Sequence, residues 1–410
     1  DTRTAGEYPV FTVTPKAERS LRAGHPWVYG EEVTAVEGAY QNGDMVDVVS
    51  NKGRYLGTGW VNDHSKIRVR IISRNANDTF DEAFFRRRVC YALNYRKTVM
   101  GPVDYRCCRL IFGEADQFPG LTVDRFENIL VTQVLSLGME RRKDWVYRAL
   151  VELLREDDEQ IDAIYERNDV AIRTLEGLEQ GKGFYQMEGL KTDLSGHVTI
   201  TENGIKYDVD YIEGQKTGFF LDQKYNRQAA AKLARGRRVL DCFTHTGAFA
   251  LNAAAAGAEH VTAVDVSAFA LELAAENGKR NGLTNLDYKC ADVFDLLTEM
   301  AKEKKCDYDY IILDPPAFTK SRATAKNAYH GYKEINRKAM RLLPRGGYLA
   351  TCSCSHFMTD EMFRKMLQEA ALDAGVTLRQ IEARQQAPDH PILPEVPETD
   401  YLKFYLLQVV

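Results

Sequence analysis

Short apolar runs alternate with amphipathic stretches through the second half of the chain. Residues 238–242 (RVLDC), 261–265 (VTAVD), 287–292 and 309–314 read as strands. The run Tyr310-Ile311-Ile312-Leu313 is apolar on both faces, as a strand buried inside a parallel sheet must be. Between the strands, 247–256 is an alanine-rich helix stopped by Gly257, and Ser267 caps a helix that runs to Arg280, with Gly282 after it. This rhythm predicts a doubly wound α/β sheet. A further strand is expected over 348–355, with Cys352 and Cys354 on one face, and a last one over 402–410 (LKFYLLQVV as 402–410). The first half has a different pattern. Residues 9–73 alternate in short segments broken by glycine turns and predict a small β-barrel. Residues 80–100 have helical spacing, 110–137 form a hairpin turning at Glu127-Asn128, 141–156 is an amphipathic helix and 163–167 a strand, which together make a small α+β domain. The expected domains are 1–75, 76–195 and 196–410, with a linker near 190–200.

Candidate chemistry gathers at the carboxyl ends of the predicted strands, where open α/β sheets bind ligands. Asp314-Pro315-Pro316-Ala317-Phe318 follows the most apolar strand, and two prolines stop the ladder and stiffen the turn that holds the acid. Asp241, Asp265 and Asp292 end three other strands. One such aspartate is as readily a cap, whereas four along one sheet edge point to a site. The first turn, Asp241-Cys242-Phe243-Thr244-His245-Thr246-Gly247, has one glycine where a dinucleotide fingerprint needs three, so NAD is disfavoured. An adenosyl cofactor without phosphates needs only one close backbone approach. Asp265 is expected on its ribose hydroxyls and Asp292 on its adenine amino group, with Phe243, Thr246, Gly247, Val266, Ser267, Val293 and Pro315 lining the same site.

This pattern over 199–410 resembles the class I S-adenosylmethionine-dependent methyltransferases, which implies their strand order with a reversed last strand. Gly218-Phe219-Phe220-Leu221-Asp222-Gln223 resembles a segment that closes over the methionine end of the cofactor, placing Gln223 or Asp222 on its ammonium or carboxylate. A helix N-terminus with a buried Phe pair reads equally well. Cys352 reads as a small buried hydrophobe, whereas Cys354 sits at the strand mouth among Ser353, Ser355 and His356. A thiolate there suits addition to C6 of cytosine, which makes C5 nucleophilic. Asp314 would hold N3, and Phe318, with Pro316, would grip the base. His356, Asp314 or water would take the C5 proton. With Gly24-His25-Pro26-Trp27 near the start, the Asp314–Phe318 and Ser353-Cys354-Ser355 elements resemble the RlmI-type bacterial large-subunit ribosomal RNA 5-cytosine methyltransferases nearly end to end. The resemblance implies a PUA-type RNA-binding barrel, Cys354 as the single catalytic cysteine, ribosomal RNA as substrate and a homodimer. Ala317 stands where many RNA cytosine methyltransferases carry a second cysteine, so base release must proceed without one. A purine-amine methyltransferase using Asp314-Pro-Pro, with Cys354 inert, and a non-catalytic RNA-binding protein remain as alternatives.

Composition narrows the rest. The net charge of −5 is unlike that of most nucleic-acid binders, so local patches must carry RNA binding. Residues 86–109 supply one: Arg86, Arg87, Arg88, Arg96, Lys97, Arg106 and Arg109 face a single acid, Asp104, with Tyr91, Tyr95 and Tyr105 between them. Arg86 and Arg87 are the expected RNA contacts, a solvated helix face being the alternative. Eight cysteines show no CxxC or His-Cys metal spacing, which suggests free thiols in a reducing compartment and no zinc. No signal-peptide pattern and no apolar run near 18 residues occur, so a soluble, cytoplasmic protein is expected.

Overall fold

The computed structural model describes residues 7–318 and 324–410; the first six positions of the expected barrel domain lie outside them. The chain divides into two compact units. One comprises Asp1–Thr199, Val209–Leu221 and Pro388–Thr399, the other Ile200–Asp208, Asp222–Ala387 and Asp400–Val410.

The first unit contains two sheets. Val10–Val13, Trp27–Tyr29, Val33–Glu37, Met45–Val49, Tyr55–Val61 and Ile67–Ser73 form a six-stranded sheet in which only the pairing of Val10–Val13 with Met45–Val49 is parallel. Period-two alternation sends Phe11, Val13, Val28, Val46, Val48, Val69 and Ile71 into one core. Gly59 is obligatory there, because a Cβ would lie 1.9 Å from the Arg70 carbonyl oxygen. The second sheet orders Gly181–Phe184, Ala163–Asn168, Ile129–Val134, Leu121–Phe126 and Cys107–Phe112. The expected turn at Glu127 is present, with Glu127 in the left-handed region (φ 55°). Helices Glu82–Asp104 and Lys143–Glu156 pack against each other.

In the second unit the elements run α1 (Lys224–Ala231), β1 (Arg238–Cys242), α2 (Ala248–Ala255), β2 (His260–Asp265), α3 (Ala268–Arg280), β3 (Leu286–Cys290), α4 (Val293–Lys302), β4 (Tyr310–Leu313), α5 (Ala325–Leu342), β5 (Tyr348–Ser353), α6 (Asp360–Ala374), β6 (Leu378–Arg384) and β7 (Lys403–Val409). The sheet order is β3-β2-β1-β4-β5-β7-β6, with β7 antiparallel to both neighbours. Adjacent residues of the central strands serve opposite cores. Leu240, Cys242, Ile311, Leu313 and Leu349 meet Tyr332, Ile335 and Phe363 on one face. Val239, Tyr310, Ile312, Ala350 and Cys352 meet the alanines of α1 and α2 on the other.

Three boundaries depart from the expected ones. β3 stops at Cys290, and Asp292 turns instead to cap α4, its Oδ1 accepting the Asp295 N–H at 3.0 Å. β5 stops at Ser353, whose partner Lys403 is the first residue of β7, so the ladder has nothing left to pair with Cys354. Cys354 therefore does not share strand geometry with Cys352. The edge strand β6 (LRQIEAR) was not foreseen, because it is largely polar and half-exposed and lacks an apolar run.

One buried ion pair ties the segment 200–208 to α1. Arg227 donates to both oxygens of Glu202, at 2.7 and 2.9 Å, with both side chains almost without solvent contact. Arg227→Met strands the Glu202 carboxylate in the core and is expected to cost about 3–5 kcal/mol in urea denaturation. A loss under about 1 kcal/mol would mean that the pair behaves as a surface contact.

Candidate active site

The site is built on the loops leaving β1, β2, β4 and β5. After β1 the backbone is left-handed at three alternate positions, Phe243 (φ 63°), His245 (φ 54°) and Gly247 (φ 89°). Non-glycine residues adopt this region only where the surroundings hold them. Here the Thr244 N–H donates to the Val264 carbonyl (2.8 Å), the Thr244 hydroxyl to Asp241 Oδ2 (2.6 Å) and the His245 N–H to Asp265 Oδ2 (2.9 Å). A Cβ on Gly247 would lie 2.9 Å from Ala274 and from Leu251, so only glycine fits that position. Thr246 is half-buried in the same turn.

Asp265, the last residue of β2, accepts the N–H of Ser267 on Oδ1 (2.9 Å) and that of His245 on Oδ2. A carboxylate has about four acceptor positions, so it retains capacity for a pair of hydroxyls. Val266 and Phe269 beside it are 66% and 63% exposed, an apolar surface suited to a planar ring. Asp241 is buried, and its Oδ1 has no hydrogen-bond partner. Burial pushes its carboxyl up to about 8, against the Thr244 hydrogen bond and with help from the charge of Asp314. An orphaned buried carboxyl oxygen, spare acceptor capacity on Asp265 and a glycine-only backbone position together fit an adenosyl cofactor. Ser267 caps α3 through the Ala270 N–H (3.1 Å), while Asp292 is exposed and Val293 is buried in the core. Val293 thus packs rather than lines the site.

The other end of the site centres on Asp314. Pro315 is buried and Pro316 exposed. Asp314 Oδ1 accepts from Gln223 Nε2 at 3.3 Å, and Gln223 Oε1 accepts from Asn226 at 2.7 Å. Loss of water around the Asp314 carboxyl raises its pKa, with His245 and Arg227 opposing. Asp222 is committed elsewhere and accepts the Tyr401 hydroxyl at 2.6 Å. Leu221–Gln223 is a helical turn that leads into α1, so this segment is a helix N-terminus and also carries Gln223 to Asp314. Cys352 is buried, and burial holds its thiol well above the ordinary cysteine value, the Asp314 charge adding to the effect. Cys354 is half-buried just beyond β5. Tyr332 of α5 accepts a 3.1 Å hydrogen bond from the Ser353 hydroxyl, and it senses the charges of Cys354 and Asp314. Phe318 packs 4.6 Å from Tyr332 and 6.0 Å from Phe294, so much of its ring is engaged within the protein. His356 is exposed and lies against Phe357.

The structure therefore brings Asp241, Asp265, Asp314 and Gln223 into one electrostatic neighbourhood with Cys352 and Cys354. Thr244, His245 and Tyr332 were not foreseen. The hydroxyl three residues after Asp241 was the one sequence signal for Thr244. The basic stretch of the first unit is not a free cationic face. Arg86 pairs with Glu152 (2.5 Å) and Glu156 (3.2 Å), Arg96 with Asp116, Lys97 with Asp157, Arg106 with Glu127 and Arg109 with Asp124. Arg87 is exposed, its guanidinium 5.5 Å from the Phe84 ring centre. Among the described residues no helix is long and apolar enough to cross a membrane, and no group of three His, Cys, Asp or Glu side chains is placed to hold a metal ion.

Comparison with known proteins adds to this geometry. Residues 11–74 match a PUA-like domain, and residues 184–407 match the S-adenosylmethionine-dependent methyltransferase family. The chain is 40% identical over 401 residues to the Pseudoalteromonas atlantica protein named ribosomal RNA large subunit methyltransferase I, covering 97% of this chain and 99% of the relative. It is 42% identical to the protein of that name from Aeromonas salmonicida, covering 94% and 96%. A solved methyltransferase complexed with SAH shares the fold, with a TM-score of 0.82 at 22% identity over 98% of this chain and 100% of that one.

The raised Asp241 carboxyl has a consequence for stability. The folded chain keeps a proton that the unfolded chain releases above about pH 4. Its contribution is full below that pH and is lost as pH rises toward about 8. Asp241→Asn, which removes the titration, is expected to flatten this fall. Urea denaturation of the cofactor-free protein at about pH 5 and about pH 8 tests it, and equal losses in wild type and variant refute it.

Proposed function

Because the chain belongs to the ribosomal RNA large subunit methyltransferase I family, S-adenosylmethionine-dependent enzymes in which a PUA-like domain precedes the methyltransferase fold, we propose that it forms 5-methylcytosine in large-subunit ribosomal RNA through a Cys354 thiolate. The observation that carries this reading is the contrast between the two cysteines of one strand end. Cys352 is sealed in the core with its thiol held protonated, whereas Cys354 lies outside the ladder, half-buried, close enough for its charge to reach Tyr332 and Cys352.

Asp265, the Gly247 turn, Asp241 and Gln223 would hold the cofactor. Bound S-adenosylmethionine supplies an electrophilic methyl group. The Cys354 thiolate forms a bond to C6 of cytosine, and the electron pair of the C5–C6 double bond moves to C5, which becomes nucleophilic. Asp314 supports this addition at N3. Burial raises its pKa, which makes the carboxyl a better proton partner as negative charge grows on the ring. After methylation, C5 gives its proton to water or to a base of the site, His356 or Asp314, its C–H electron pair re-forms the C5–C6 double bond, and the C6–sulfur bond breaks with its pair on sulfur, which returns the thiolate. Ala317 follows the proline pair, so no cysteine at that position assists the release. The PUA-like domain would supply RNA affinity, and Arg87, on the helix after it, would add a contact while Arg86 is held by its glutamates.

The test is incubation with S-adenosylmethionine and unmodified large-subunit RNA, followed by nucleoside mass spectrometry. Wild type should yield 5-methylcytosine. Cys354→Ala should yield none while still binding S-adenosylhomocysteine. Asp314→Asn should slow turnover by about 10²–10⁴-fold. A methylated purine, with Cys354→Ala still active, would refute the reading.

A further inference from the structure

Lys403 is the first residue of β7 and only 4% exposed. It stands directly opposite Ser353, the last residue of β5, and so shares that residue's face of the sheet. Its Nζ donates to the Ser355 carbonyl at 2.5 Å and the Tyr401 carbonyl at 2.8 Å. These two carbonyls bracket it, and one of them belongs to the residue that follows Cys354. An ammonium has three N–H donors, so one remains.

A buried ammonium is costly unless an anion balances it. Among the described residues no carboxylate lies within ion-pairing distance of Lys403, although the other ion pairs of this unit are closed at 4 Å or less. The acidic groups whose charge reaches it are Cys354, which acts most strongly, Asp400 and Asp360. Both carboxylates have other partners: Asp360 accepts from the Tyr405 hydroxyl, and Asp400 accepts from Gln385 at 3.3 Å. Two other described groups that sense Cys354, Tyr332 and Cys352, keep their protons at neutral pH because burial raises their pKa values. Lys403 is thus a cation placed against that thiol among the described residues.

We propose that Lys403 is a positioning residue for the reaction, its ammonium serving as the counter-ion that holds Cys354 as a thiolate. The inference rests on the reading of Cys354 as the nucleophile. In forming the pair, the thiol proton leaves to solvent, Lys403 keeps its own proton, and no bond to sulfur is made. When sulfur bonds to C6 the ammonium loses its counter-charge, and it regains one when the C6–sulfur bond breaks. The same charge therefore stabilises sulfur as the leaving group, which matters in a chain that lacks a cysteine after Pro315-Pro316. Burial lowers the Lys403 pKa to about 8 with the Cys354 charge opposing, so the amine is still largely protonated at neutral pH.

The pair is read by iodoacetamide alkylation of the whole protein from about pH 5 to 10, with each cysteine followed by peptide mass spectrometry. Exposed Cys290 serves as the internal reference. Cys354 of the wild type is expected to alkylate with a midpoint below the ordinary thiol value of about 8.5. Lys403→Met should raise that midpoint by about one unit, a roughly tenfold slower reaction at neutral pH, and Lys403→Arg should restore most of it. A wild-type Cys354 midpoint at or above that of Cys290 overturns the proposal, as does an unshifted midpoint in Lys403→Met. If the Met variant does not fold, the wild-type midpoint alone decides. Failure of the underlying reading looks different: Cys354→Ala would still methylate RNA, whatever the midpoint.

Discussion

All four residues of β4 are without solvent contact, and parallel ladders to β1 and β5 fix their register. Ile311 and Leu313 are committed to one core and Tyr310 and Ile312 to the other, so a slip of one residue would exchange both sets. Pro315 and Pro316 then end the strand within two residues. Between a strand that cannot shift and a turn that cannot extend, Asp314 has one place to be. Gln223, brought by the helical turn ahead of α1, and the end of β5 are arranged around that place.

The site that results concentrates acids in a region with little water. The charges of Asp314 and Asp265 act on Asp241, and burial raises the pKa of Asp241 and of Asp314. Such an edge is tolerated because its carboxyl groups take backbone, hydroxyl and amide donors and because burial raises the pKa of Asp241 to about 8. Buried positive groups among the described residues include Arg227, paired with its own carboxylate, and Lys403, held by two carbonyls. Perturbed groups of opposite tendency in one cleft are what acid–base and nucleophilic chemistry requires. The same arrangement seals Cys352 in the core and leaves Cys354, two residues on, half-buried beyond the strand.

In the first unit a charge run is largely balanced within the fold. Seven cations over 86–109 read as an RNA-facing surface, yet five are closed into ion pairs with acids contributed by distant positions. Sequence distance hid those partners, because Glu152, Asp116, Asp157, Glu127 and Asp124 reach the helix and its neighbouring strand only when the sheet folds.

Local pattern alone carried the α/β rhythm, the central strands, the capping Ser267, the proline stop after Asp314 and the lone glycine that argued against a dinucleotide. These depend on residues adjacent in the chain, and apolar periodicity, caps and rigid turns are legible there. Family likeness, read from the same residues, extended this to strand order and cofactor. Tertiary structure decided the rest. It placed Asp292 as a cap rather than a strand end, let β5 stop one residue before Cys354, folded the polar β6 onto an edge, and set Lys403 and Tyr332 beside the thiol from 49 and 22 positions away in sequence. Those outcomes turn on which group a side chain meets across the sheet, and that depends on register and burial rather than on neighbours along the chain.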